Sequence, residues 1–123
     1  MIEYRMMEVS RGADIALKSR LYVSGWSLSC DLQRYRRDPI GYRHVKIVLA
    51  YDGDKPVGVV AAEVNGTVQA FVRKSYRRRG IASGMIRNHG ITVGYYGDGI
   101  KNSDKFWNKV RNSNGWNSNG GEE

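Results

Sequence analysis

Apolar residues fall along the 123-residue chain in short runs whose period changes from place to place. Residues 2–9, IEYRMMEV, are apolar enough for a first strand, with a helix start as the alternative. Ser10 then precedes ADIALKSRLYV, where Ile15, Leu17, Tyr22 and Val23 form an imperfect helical stripe. From Gly25 to Gly41 the pattern is less regular. Asp31 reads there as the N-cap of a short basic helix, DLQRYRRD, which Pro39 should end.

The middle of the chain is plainer. VKIVLAY (45–51) and VGVVAAEV (57–64) read as strands, separated by DGDKP with its Gly and Pro in turn positions. Asn65-Gly66 is a strong hairpin signal, and TVQAFVR (67–73) alternates Val68, Ala70 and Val72 against Thr67, Gln69 and Phe71. Three strands joined by tight turns predict an antiparallel meander. GIASGMIRNHG then reads as a helix with Ile81, Met85 and Ile86 inward, ITVGYY (91–96) as a strand, and NSDKFWNKVRN (102–112) as a last helix. The class is mixed α+β. Residues 1–112 form one domain, and 113–123, rich in Asn, Ser and Gly, form a flexible tail.

Composition adds three bounds. At 41% hydrophobic the chain can build a core, and its net charge of +8 favours a polyanionic or acidic partner. Nucleic acid, a phosphorylated cofactor and an acidic protein surface all fit. Cys30 is the single cysteine, which excludes an internal disulfide and a C-x-x-C metal site. No secretory leader and no membrane-length apolar run is visible, so a cytoplasmic protein without a metal is expected.

The chemistry concentrates in VRKSYRRRGIASGM (72–85), where four arginines and a lysine surround a loop that leads into an apolar helix. A helix N-terminus offers unpaired N–H groups and the positive end of its dipole. Gly80 lets a phosphate approach the backbone, and Ala82 leaves the next turn unobstructed. The competing readings are a solvated basic turn and a contact to nucleic-acid phosphates. Aromatics interleaved with arginines upstream (Tyr22, Trp26, Tyr35, Tyr42 and Tyr51 with Arg20, Arg34, Arg36, Arg37 and Arg43) could stack bases. Such aromatics are more often core residues beside solvated charges.

Val72, Arg77, Gly80, Ile81 and Ala82 fall on the spacing V-x(4)-R-x-x-G-[IVL]-[GA]. This resembles motif A of the GNAT (Gcn5-related) N-acetyltransferases, Q/R-x-x-G-x-G/A, and the order of elements over roughly 45–112 agrees. The resemblance implies a GNAT-like mixed sheet, either truncated at its C-terminal side or completed by another subunit in a homodimer. It also implies that acetyl-CoA is bound. Its pyrophosphate would lie on Arg77, Arg78, Arg79, Gly80, Ile81 and Ala82, with Ser83 close by. Phe71, Val72 and Arg73 would pair with the pantetheine arm, with the Val72 N–H offered to the thioester carbonyl. Asn102 is the candidate for a further pantetheine contact. Lys74 stands where family members often have proline.

The resemblance leaves acid and base open. The family's acid, a tyrosine, falls here near Phe106 or Trp107, neither of which can serve, and Tyr95, Tyr96 or water is the substitute. Family members often carry a glutamate on the fourth strand, where this chain has only Gln69. Glu63 and Asp98 are the nearest carboxylates, although each also reads as an ordinary turn residue. The function implied is acetyl transfer to a primary amine, of a protein lysine, a protein N-terminus or a small molecule. The alternative is a catalytically weak module of the same fold that engages nucleic acid or a protein through its basic face.

Overall fold

A computed structural model describes residues 1–91 and 95–97. Among these residues five strands form one sheet in the order β1 (Ile2–Met7), β2 (Lys46–Asp52), β3 (Lys55–Ala62), β4 (Thr67–Val72) and β5 (Tyr95–Gly97). The first four are mutually antiparallel, and β5 runs parallel to β4. The expected meander is therefore present. Its turns follow from their glycines. Gly53, at φ 63°, closes the two-residue connection between Asp52 and Lys55. Gly66, at φ 93°, closes a three-residue loop bracketed by Glu63 N–H to Thr67 O at 2.8 Å.

Helices α1 (Val9–Lys18) and α2 (Ser27–Arg37) cover one face of the sheet, and α3 (Ile81–Asn88) covers the other. Because both faces are covered, β2 to β4 are buried on alternate residues of both sides. Val48, Ala50, Val60, Val68, Ala70 and Val72 pack under α3, while Ile47, Leu49, Val59 and Ala61 pack under α1 and α2. Tyr35 and Tyr51 belong to the second core, with Tyr42 packed against it edge-on to Tyr35 at 5.1 Å. The upstream aromatics are thus largely structural, apart from the exposed Trp26.

Three helix boundaries differ from the sequence expectation. The helix expected over 13–23 begins earlier, at Val9, capped by Glu8, whose carboxylate accepts from the Ser10 and Arg11 amides. The same helix stops at Lys18, because Arg20 at φ 56° turns the chain and Leu21 N–H returns to Ala16 O at 2.9 Å. Finally, α2 begins at Ser27, one turn before Asp31, since burying Leu28 together with Leu32 and Tyr35 needs that extra turn. Asp31 is thereby a residue of the helix body and free to act across the sheet. Pro39 ends α2 as expected, with Arg37 its last residue.

Gly12 sets how closely α1 lies on β2. A Cβ there would stand 2.7 Å from Ile47 Cγ2 and 3.0 Å from Met7 Cβ. Alanine normally gains about 1 kcal/mol over glycine inside a helix, but overpacking costs about 1–3 kcal/mol, and the clash wins at this spacing. Gly12→Ala should therefore lower thermal stability, and the same change in an Ile47→Ala background, which removes the 2.7 Å contact, should cost less. Calorimetric melting of the four proteins measures that coupling.

Candidate functional site

The two edges of β4 are used differently. Arg73 N–H donates to Val57 O at 2.8 Å, and Glu63 N–H to Thr67 O at 2.8 Å, which fixes the phase of the β3–β4 ladder. Since antiparallel partners alternate, Thr67, Gln69, Phe71 and Arg73 turn their amides toward β3, while Val68, Ala70 and Val72 turn theirs outward. On that outward edge β5 is in register with Thr67, Gln69 and the residue between them, the last pair being Gln69 with Gly97. Among the described residues, Ala70 and Val72 therefore have no strand beside them. The described pairing with β5 reaches Gln69.

The open edge leads directly to the basic loop. A single 3-10 turn (Lys74–Tyr76) is followed by Arg77 in extended conformation, Arg78 at φ 65° and Gly80 at φ 76°. The loop is tied down by Tyr76, whose hydroxyl donates to Asp52 at 2.6 Å, with the Arg79 guanidinium 5.1 Å over its ring. That hydrogen bond to Asp52 raises the Tyr76 pKa. Arg73 holds the strand end, donating from Nε to Pro56 O at 3.0 Å and from a terminal nitrogen to Ser19 O at 2.8 Å. Arg77 folds back, its Nε donating to Val72 O at 2.7 Å and its guanidinium 5.3 Å over Phe71.

Helix α3 starts at Ile81 with Gly80 as its cap. Gly84 N–H to Gly80 O, at 2.9 Å, is the first bond of the helix, which leaves the amides of Ile81, Ala82 and Ser83 at its mouth. Among the described residues no side chain caps these amides and no acidic residue stands in the first turn, in contrast to α1 with Glu8. Among the described residues, a Cβ on Gly80 would meet nothing within 4 Å. Lys74, Arg78 and Arg79 are exposed around it. An anion with two charged groups fits this arrangement, held by backbone N–H groups and flanked by guanidinium ions.

No family model matches the sequence, and no curated protein does. Solved structures match the fold. A putative acetyltransferase of the GNAT family from Desulfovibrio desulfuricans aligns with a TM-score of 0.61 at 11% identity, over 89% of this chain and 84% of its own. The chain has the GNAT fold. An aminoglycoside N-acetyltransferase in complex with CoA aligns at 0.55 and 17% identity, over 100% of this chain and 92% of its own. A ribosomal-protein-alanine N-acetyltransferase from Brucella melitensis gives 0.55 at 15%, over 100% and 96%.

Within the GNAT fold, the structure brings Val72, Arg77, Arg78, Arg79, Gly80, Ile81, Ala82 and Ser83 to one place. Of the three strand residues expected to face an added chain, only Val72 turns its amide outward; those of Phe71 and Arg73 are committed to β3. Glu63 stands at the far end of β4, level with Thr67 and five residues from Val72, about 16 Å along a strand. Its carboxylate accepts from the Tyr35 hydroxyl at 2.6 Å. Tyr96 lies on β5 in register with Val68. Asp98, Asn102, Phe106 and Trp107 lie outside the described residues. Among the described residues no group of three His, Cys, Asp or Glu side chains could hold a metal, and no helix is long and apolar enough to cross a membrane.

Sequence reasoning missed one cluster. On the face of β4 turned toward α2, the buried Gln69 side chain accepts from Ser27 Oγ at 2.8 Å and donates from Nε2 to Asp31 Oδ2. Asp31 Oδ1 in turn accepts from Arg34 at 2.9 Å. The signal that could have found it is the i, i+4 spacing of Ser27 and Asp31, which puts both on one helical face.

Burial, then the hydrogen bond to Glu63, pushes the Tyr35 hydroxyl far above its ordinary pKa. Because the folded-state value is raised, Tyr35 contributes stability that is intact below about pH 10 and is lost above it, by up to about 1.4 kcal/mol per pH unit. Tyr35→Phe should remove this limb. Urea unfolding of wild type and variant between pH 8 and 11 should show the wild-type curve falling more steeply; parallel curves would contradict the assignment.

Proposed function

We propose that the chain is an acetyl-CoA-dependent N-acetyltransferase that moves the acetyl group to a primary amine by direct attack. The acceptor would be a protein lysine, a protein N-terminus or a small molecule. The observation that carries this reading is the junction, among the described residues, of a strand edge without a neighbour and a helix mouth without a side-chain cap. The first takes a chain that hydrogen-bonds like a strand, and the second takes a diphosphate. A pantetheine diphosphate has both parts in that order.

The residues present fit such a group. The amides of Ile81, Ala82 and Ser83 would hold the pyrophosphate, with Gly80 leaving room and Arg78 and Arg79 supplying charge. The outward N–H and carbonyl of Ala70 and the outward N–H of Val72 would hold the arm, the Val72 carbonyl being taken by Arg77, with Asn102 as a further contact. When bound, the group supplies an acetyl thioester, whose carbonyl oxygen gains charge under attack by an amine. The outward Val72 N–H is the donor for that oxygen, a contribution typically of about 3 kcal/mol. Tyr96 is the candidate to return a proton to the leaving sulfur. Glu63 and Asp98 are the carboxylates assigned to the ammonium from the sequence; the distance of Glu63 from Val72 weakens its claim.

Acetyl-CoA at 100 times its dissociation constant should stabilise the protein by about 2.7 kcal/mol. Arg78→Glu combined with Gly80→Asp, which reverses a charge and adds another at the mouth, should abolish the shift in a thermal melt. An unchanged shift in that variant would place the cofactor elsewhere. No shift in the wild type, together with steeply salt-dependent binding to DNA or RNA, would favour a nucleic-acid-binding module instead.

A further inference from the structure

We propose that Asp31 is the carboxylate that accepts the proton of the incoming ammonium group, with Gln69 as the residue that positions it. The inference rests on the acetyl-transfer reading and names a part of its site that the sequence did not.

Gln69 is only 4% exposed, in a core where the other buried strand side chains on its face are Ile47, Leu49, Tyr51, Val59 and Ala61. An amide in that setting costs about 1–3 kcal/mol unless it is hydrogen-bonded, and an apolar residue would avoid the cost altogether. The chain instead satisfies both ends of the amide with residues of α2, Ser27 at the oxygen and Asp31 at the nitrogen. The result is a carboxylate pinned to the strand residue that pairs with Gly97 of β5.

Position and access agree. Gln69 precedes Val72 by three residues, about 10 Å along a strand, whereas Glu63 is level with Thr67 and is engaged by Tyr35. The side chain of Asp31 retains 17% exposure, so solvent and a small cation reach it. The charged and titratable groups facing it are Arg34, at 2.9 Å, and Tyr35 and Glu63 beyond. Arg34 is 56% exposed and can swing away when a cationic acceptor arrives.

The step balances as follows. One proton passes from the ammonium ion to the Asp31 carboxylate, and the freed nitrogen bonds to the acetyl carbon. The carbon–sulfur bond breaks, its electron pair leaves on sulfur, the general acid protonates the thiolate, and a second proton from nitrogen restores that acid. Asp31 then releases its proton to water.

Asp31→Asn keeps a carbonyl oxygen facing the Gln69 amide and should leave both the melting temperature and acetyl-CoA binding unchanged. Thiol release is then measured with two small probes, n-propylamine, an ammonium ion at neutral pH, and hydroxylamine, which is neutral there. Transfer to n-propylamine should fall by about 100-fold while transfer to hydroxylamine is largely kept. Exchanging the pair, Asp31→Asn with Gln69→Glu, returns a carboxylate across the same hydrogen bond and should recover a substantial part of the loss. Without acetyl-CoA present, n-propylammonium should shift the Gln69 side-chain amide signals of the wild type but not of Asp31→Asn. Equal losses with both amines, or no loss with either, would overturn the assignment while leaving the cofactor site standing. Absence of thiol release by the wild type would overturn it together with the transfer reading, and acetyl-CoA binding separates those two failures.

Discussion

The alternation of hydrogen bonds along β4 is the constraint from which the site follows. A strand can present each amide to one side only. The bond from Arg73 N–H to Val57 O commits the odd-numbered residues of β4 to β3, so Val72 faces outward with no freedom in the matter. Shifting the register by one residue would reverse every side chain and every amide together. The two cores prevent it. Val68, Ala70 and Val72 are locked under α3, and Phe71 against the core of α1 and α2. Packing over the whole sheet therefore decides the direction of one N–H group.

The loop after β4 has the same character of local geometry fixed by distant contacts. Arg78 occupies a backbone region that costs a non-glycine residue about 1–2 kcal/mol. The anchors that hold the loop in place are Tyr76 on Asp52 and Arg73 on Pro56 and Ser19, which reach the β2–β3 hairpin and the end of α1. Arg77 serves the edge as well as the loop, since its guanidinium occupies the outward carbonyl of Val72 and leaves the neighbouring N–H available. An arm that pairs with β4 as a strand would compete with that contact. Charge at this end of the sheet is thus partly structural, and not all of the arginine excess acts on a ligand.

The legible parts of the fold were those set by local chemistry. Gly53 and Gly66 are needed at positive φ, so the meander and its turns could be read from the sequence. Gly80 similarly announces the start of α3, and the alternation in TVQAFV announces β4. The start of α1 was placed too late because a glutamate, a less usual cap than Ser, Thr, Asp or Asn, holds its first turn. The start of α2 was misread because its N-cap, Trp26, makes no side-chain hydrogen bond and its register is chosen by buried Leu28, Leu32 and Tyr35. The Gln69–Asp31 contact joins residues 38 apart and has no local signature. Gln69 had drawn notice only as a missing glutamate. Its partner on the helix was invisible while Asp31 was taken for a cap.

The central claim is that the outward amide of β4 and the first amides of α3 form one continuous site. Backbone amide spectra recorded during a titration with CoA test it residue by residue. The account predicts that Val72, Ile81, Ala82 and Ser83 shift strongly and saturate together, while Phe71 and Arg73, whose amides are bonded into β3, move far less. Shifts confined to the arginine side chains, or spread evenly along both edges of β4, would contradict it.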